Sequence, residues 1–441
     1  MSPVSRFGRH SARAAAAFLA IGLLTTACTS TSGAPEVTVT VNDTTAASPA
    51  GSDQTTTLTP SLPSLTSSAQ PPSSAPVVPA PTITAEPALG SKNLSPSAPV
   101  TITVADGTIE NLTLTNPAGK QVKGEIAQDK RSWKLGEVLG YGKTYTVNGT
   151  ALSADGRPSP IKGTFTTLPE SVKATTYITP GDDAVVGIAQ PVIINLPVAA
   201  NVKVDRAAIE KRLSITTEPE VEGAWGWVGH DTGLGVDWRP KDYWPAGTKV
   251  TVKANLYGVK IADGKYGAED LSVSFTIGRA QVTYADVNSH QIVVKQGCTK
   301  ANDPDSCDKT IATYPASFGS GSNDNNVTRS GIHVVNDKFE DKIMTGTPPA
   351  NYRVREKWAV RISNNGEFIH ENPNTVADQG NTNVSNGCIN LSPENAPKYF
   401  NATILGDPVE VVGSRIKLSE ADGDIFDWAI AWSEWQNLSA L

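Results

Sequence analysis

Cys388 and His370 are the side chains whose types and spacing could do chemistry together. A thiol is a strong nucleophile only as its thiolate, which requires a base or a lowered pKa. Cys388 stands in the run Ser385-Asn386-Gly387-Cys388-Ile389-Asn390-Leu391, and fourteen residues separate Ser385 from His370 upstream. His370 closes the run GEFIH, which reads as a strand, so it is placed to serve as that base. Gly387 lets the backbone turn tightly beside the thiol. The amides of Asn386, Gly387 and Cys388 could then converge on one oxygen as an oxyanion hole. These are the parts of an acyl-transfer enzyme with a thioester intermediate.

The chain has four cysteines, Cys28, Cys298, Cys307 and Cys388. Cys298 and Cys307 fall at the tip of an expected hairpin between HQIVVKQ and TIATYP, and a disulfide is the expected state in an oxidising compartment. Closing so short a loop contributes about 2–3 kcal/mol in the loop-entropy model. A metal site is the alternative, but no histidine or further cysteine stands nearby. An odd thiol in an exported chain flags a reactive cysteine. His333, in SGIHVV, reads as a structural, hydrogen-bonded histidine, with a place in the site as the alternative.

The elements that must position these residues read as mainly β. After residue 95 the chain is too long for one core. Residues 96–168 alternate apolar and polar positions (Val100, Ile102, Val104; Leu112, Leu114; Tyr145, Val147), with turns at Asp106-Gly107, Ala118-Gly119 and Asp155-Gly156. Short strands at this spacing suggest an immunoglobulin-type sandwich. Residues 169–278 repeat the style, interrupted by a short helix from Asp205 to Leu213 with Asp205 at its N-cap. Trp225, Trp227, Trp238 and Trp244 on the strands that follow read as packing; a sugar-binding platform is the alternative. Residues 279–413 hold the chemistry. In the tail, residues 414–441, Ile425, Trp428, Trp432 and Trp435 have helical spacing and read as a docked helix. Exposed, that stripe would be an aggregation liability or a partner surface.

The N-terminus is an address. Arg6, Arg9 and Arg13 precede a short apolar run, AAAAFLAIGLL, and then Thr25-Thr26-Ala27-Cys28. This resembles a bacterial lipobox, with Thr25 where leucine is usual. It implies a signal peptide over 1–27, lipidation of Cys28 and a cell-membrane anchor facing the periplasm or wall. Residues 28–95, rich in Ser, Thr and Pro, read as a disordered tether reaching on the order of 100–200 Å where extended. The net charge is −7 without a long Lys/Arg run, which argues against a nucleic-acid partner.

His370, fourteen residues, then Ser-Asn-Gly-Cys-Ile-Asn resembles the signature of the L,D-transpeptidase catalytic domain of the YkuD type. The resemblance covers roughly residues 98–441: residues 205–244 are similar to the second immunoglobulin-like domain of mycobacterial-type members, and the stretch from Asn351-Tyr352-Arg353 to Ile362-Ser363-Asn364 is similar to their substrate lid and the strand after it. It implies two immunoglobulin-like domains, then a β-rich catalytic domain entered under a lid. Cys388 would be the nucleophile and His370 the base. Tyr352 would cover the acyl donor, and Asn365, Gly366, Ser385 and Asn390 would contact substrate. The partners would be peptidoglycan stems, a tetrapeptide donor and a stem amine acceptor joined as a 3→3 crosslink, with no metal or organic cofactor required and with carbapenems as covalent inhibitors. The family's usual His before Gly-Cys is Asn386 here, which leaves both the base and the backbone amide in place. A backbone carbonyl after the base histidine orients its ring in the family, and Glu371 supplies one. The Glu371 carboxylate, if beside the ring, would favour an imidazolium.

Two other enzyme classes fit less well. Cysteine peptidases of the NlpC/P60 type place Cys before His. Sortases want a Thr-x-Thr-Cys strand, where this chain has VSNGC. A catalytically weak wall-binding scaffold is the remaining alternative, motivated by Asn386.

Overall fold

A computed structural model of the chain describes residues 77–346, 352–422 and 425–441. Cys28, the signal segment, most of the tether and Asn351 lie outside the described residues.

The first β-sandwich begins earlier than the sequence suggested. Thr82–Glu86 pairs antiparallel with Thr101–Ala105, from Thr82 opposite Ala105 to Glu86 opposite Thr101. Leu94 is buried in the same core as Ile102, Leu114, Trp133 and Phe165. The tether therefore stops before residue 82 rather than at 95. The proline-rich composition hid an alternating strand, Thr82-Ile83-Thr84-Ala85-Glu86, in which Ile83 and Ala85 face the core. Two four-stranded sheets close this sandwich.

The second sandwich also has two four-stranded sheets, with Gly233–Pro240 and Lys249–Ala254 among their central strands. Its helix is short, Arg206–Glu210, because a strand already begins at Leu213. Asp205 caps it, accepting from the Ala208 amide at 3.0 Å. The tryptophans are packing residues. Trp227, Trp238 and Trp244 are buried, and Trp225 packs against the same core. Trp238 and Trp244 lie 4.9 Å apart between ring centroids. The Trp227 indole donates to Glu210 at 2.7 Å, and Trp244 donates to the Gln190 carbonyl at 2.8 Å.

The third domain combines a five-stranded sheet, running from Lys309–Pro315 at one edge to Gly331–Val334 at the other, with a four-stranded sheet of Asp337–Thr345, Arg353–Arg361, Phe368–Glu371 and Ile389–Leu391. The strand Asp337–Thr345 was not read from the sequence, because KFEDKIMT carries charge on both faces. The disulfide Cys298–Cys307 closes the hairpin tip as expected. Val282, Cys298, Ile332, Val334 and Trp428 join the core of the second sandwich, and the Tyr243 hydroxyl donates to Glu410 across the same junction at 2.7 Å.

The tail docks on the second sandwich, although not as one helix. It runs as a 3-10 turn Asp427–Ala429, an α-turn Trp432–Trp435 and a 3-10 turn Gln436–Leu438. Between the first two pieces the backbone is extended at Ile430 and Ala431. The Arg239 guanidinium lies 4.8, 5.2 and 5.0 Å from the rings of Trp428, Trp432 and Trp435. The indoles of Trp428 and Trp435 donate to the carbonyls of Ala189 and Ala224. Trp435 is fully buried. Replacing it by alanine should cost about 3–5 kcal/mol. Urea unfolding of Trp435→Ala checks this, and an unchanged midpoint would mean that the tail is only laid on the surface.

Candidate active site

His370 and Cys388 meet because two short strands pair in parallel. Phe368–Glu371 lies beside Ile389–Leu391 with Ile369 opposite Ile389 and His370 opposite Asn390. Cys388 immediately precedes the second strand, so its side chain arrives at the histidine ring. Ile369, Ile389 and Leu391 are fully buried and anchor both strands in the domain core. Cys388 is partly exposed and the one free cysteine among the described residues.

The turn before the thiol is tied from several sides. Thr328 is its pivot: its hydroxyl donates to the Gly387 carbonyl at 2.8 Å and accepts from the Gly319 amide at 2.9 Å. The Ser385 hydroxyl donates to the Cys388 carbonyl at 2.5 Å and accepts the Gly387 amide at 3.1 Å. Ser385 thus locks the turn. The Gly387 amide is already engaged, which narrows the expected oxyanion hole to the amides of Asn386 and Cys388. Neither of these meets an acceptor among the described residues. Gly387 has φ +120, where a side chain is strained even though a Cβ would find ordinary 3.6 Å contacts.

The His370 ring is buried, with 4 % of the residue's surface exposed. Its Nδ1–H donates to the Glu371 carbonyl at 2.8 Å. This leaves Nε2 to face the side on which Cys388 arrives. The carboxylate beside the imidazole belongs to Glu356, not to Glu371: Oε2 of Glu356 is 3.5 Å from Nδ1. Burial alone would push the imidazole pKa down. The hydrogen bonds and negative charge of Cys388 and Glu356 oppose it and bring the pKa up to about 10. Sequence reasoning missed Glu356. The available signal was a lone acid in the alternating strand RVREKWAVR, on the same side as Trp358 and opposite to Arg355 and Lys357.

A cavity of about 880 Å³ adjoins the pair, with Tyr352, Asn365, Gly366, Phe368 and Asn386 in its wall. Tyr352 is half-buried at the start of the second lid strand. Desolvation, followed by the charges of Cys388 and Glu356, holds its phenol above the usual range. Gly366 faces the thiol with its carbonyl, 3.5 Å from Sγ. Asn365 does not present its side chain freely: its Oδ1 accepts from Ser363, and its amide nitrogen donates to Asp422 at 3.2 Å. Asn390 is 2 % exposed and donates to Thr375 at 3.3 Å, so it supports the strand pair from behind rather than lining the cavity. His333 is fully buried, with Nε2 2.8 Å from the Arg329 carbonyl, and is structural. It backs a buried group in which the Arg329 side chain bridges Glu367 and Asp422. That group ties the Ser363–Glu367 turn, and with it the Gly366 carbonyl, to the tail.

Residues 295–411 match the L,D-transpeptidase catalytic domain, and residues 91–260 match the bacterial Ig domain. Over 365 residues the chain is 47 % identical to L,D-transpeptidase 5 of Mycobacterium tuberculosis, covering 82 % of this chain and 78 % of that one. It is 35 % identical to L,D-transpeptidase 2 of the same species, covering 81 % and 84 %. A solved L,D-transpeptidase in complex with imipenem aligns at 32 % identity and a TM-score of 0.43, over 54 % of this chain and 97 % of that one. With two immunoglobulin-like sandwiches leading into this catalytic domain, the chain belongs to the L,D-transpeptidase family of acyltransferases.

Proposed function

We propose that this L,D-transpeptidase crosslinks peptidoglycan stems through a thioester on Cys388. The observation that carries the reading is the parallel strand pairing that brings Cys388 to His370, with Nδ1 of the ring committed to the Glu371 carbonyl. The thiolate attacks the carbonyl between the L-centre of a tetrapeptide stem and its terminal D-alanine. The amides of Asn386 and Cys388 receive the developing oxyanion. The C–N bond breaks as the His370 imidazolium gives its proton to the departing D-alanine amine, leaving a neutral thioester and a neutral imidazole. The side-chain amine of a second stem then attacks the thioester. His370 takes the proton, the C–S bond breaks, and the thiolate returns as the 3→3 crosslink leaves. A thiolate able to form this thioester would also open the strained ring of a carbapenem. The lipobox-like Cys28 supports a membrane-anchored enzyme that reaches the wall through its tether.

Intact mass spectrometry of residues 77–441 with a tetrapeptide donor tests the reading. Wild type should gain the mass of the acyl tripeptide, whereas Cys388→Ala should gain nothing. His370→Ala should lose nearly as much activity as Cys388→Ala, because nucleophile and base act as one unit. A His370→Ala protein with most of the wild-type rate would remove the base assignment.

The histidine charge sets a pH window. Its pKa is raised from 6.5 to about 10, so the imidazolium is fully present below the ordinary value and is lost as pH rises through about 10. Acylation by imipenem should therefore persist into alkaline solution and fall only near pH 10. A rate already falling at pH 7 would contradict a stabilised imidazolium. At the turn, Gly387→Val should lose on the order of 10²-fold in acylation, because the left-handed backbone needed there misplaces the neighbouring amides when it carries a β-branched side chain. A near-normal rate in that variant would mean that the 385–388 turn is not the oxyanion site.

A further inference from the structure

We infer that Glu356 is a positioning residue for the transfer reaction, its carboxylate orienting the His370 ring from the Nδ1 edge and balancing the positive charge that the ring carries. This rests on the thioester reading above. Two acceptors face the same N–H. The Glu371 carbonyl, at 2.8 Å, fixes its direction, while the Glu356 carboxylate, at 3.5 Å, adds charge. The Glu356 side chain is only 15 % exposed, so solvent screens this attraction weakly.

The surroundings leave the carboxylate to the histidine. Across the lid hairpin Glu356 is opposite Lys342, but the Lys342 ammonium lies 3.9 Å from the Phe339 ring centroid, and no Lys342–Glu356 ion pair forms among the described residues. Tyr352, immediately before the strand that carries Glu356, adds a neutral phenol. The paired strand Ile389–Leu391 brings no charge. The helix Asn395–Ala402 turns Tyr399 and Phe400 inward, while Lys398 and Glu394 pair with each other in solvent. The strand is shaped around this placement. Trp358, two residues beyond Glu356, has φ +52, a left-handed backbone that bulky residues seldom adopt, and its ring packs 5.4 Å from that of Phe400.

Glu356 gains weight during the reaction. In the resting enzyme the ring has two neighbours able to support its proton, the Cys388 sulfur and Glu356. Once the sulfur is a thioester it is neutral, and Glu356 alone supports a proton on His370. That is the moment when His370 must take a proton from the acceptor amine. The carboxylate therefore favours the amine step more strongly than it favours acylation.

Titration of His370 by nuclear magnetic resonance reads this directly in wild type, Glu356→Gln and Glu356→Asp. The Gln variant should lower the imidazole midpoint and move the alkaline limb of imipenem acylation down by on the order of one pH unit, and Asp should restore part of both. The same midpoint and the same pH profile in Glu356→Gln would overturn the inference. A second measurement leaves Glu356 in place. In Cys388→Ala the His370 midpoint should stay above the ordinary histidine range, and a midpoint back at 6.5 would overturn the inference equally. If wild type forms no imipenem adduct, the thioester reading fails, while the titrations still report whether Glu356 acts on the ring.

Discussion

The parallel pairing of two very short strands is the constraint on which the site depends. Phe368–Glu371 and Ile389–Leu391 share only three registered pairs, yet they place His370 opposite Asn390, two residues beyond Cys388. Parallel strands need a long crossover, and the connection here is an irregular loop rather than a helix. Such a pair would be marginal alone. It holds because Ile369, Ile389 and Leu391 are buried on one side, and because Asn390 exchanges backbone hydrogen bonds with Ser317 on the other. The thiol–imidazole contact is thus a consequence of core packing, not of local turn chemistry alone.

The rest of the chain stiffens this pair from a distance. Tyr141 and Tyr257 stack edge to face at 5.4 Å and each donates across the junction between the two sandwiches, to the carbonyls of Gly267 and Leu139. The second sandwich shares its apolar core with the catalytic domain. Arg239 then serves the tail. Burial lowers its pKa to about 10, against the attraction of Asp427 and Asp242, and three indoles surround the cation with electron-rich faces. Through Asp422 the same tail holds the turn that aims the Gly366 carbonyl at the thiol. The tail is therefore a structural part of the catalytic domain's wall.

What was legible in the sequence follows from how local each signal is. The Ser-Asn-Gly-Cys turn, the upstream histidine, the disulfide and the alternation of the sandwiches are written within short windows, and each appears where its residues suggested. The first strand escaped because proline and serine around it resemble a tether, and only its pairing with Thr101–Ala105 makes Thr82–Glu86 a strand. The tail periodicity was real, but the indoles follow Arg239 rather than one helix axis. Spacing alone does not show that the Asn390 and Ser385 side chains are tied to Thr375 and to the Cys388 carbonyl.

Glu356 was invisible for the deeper reason that its meaning is non-local. It lies fourteen residues before His370 and thirty-two before Cys388, on a strand where its charged neighbours Arg355 and Lys357 are exposed. Only the sheet order brings it to the ring. The same strand begins beside Tyr352, whose carbonyl accepts from the Gly346 amide at the end of the lid hairpin. The ladder from Thr345 opposite Arg353 to Asp337 opposite Arg361, broken only at Glu340 and Trp358, joins the two strands of that hairpin. The Tyr352 phenol in the cavity wall and the Glu356 carboxylate beside the His370 ring thus come from one stretch of chain, and a single strand pairing places both.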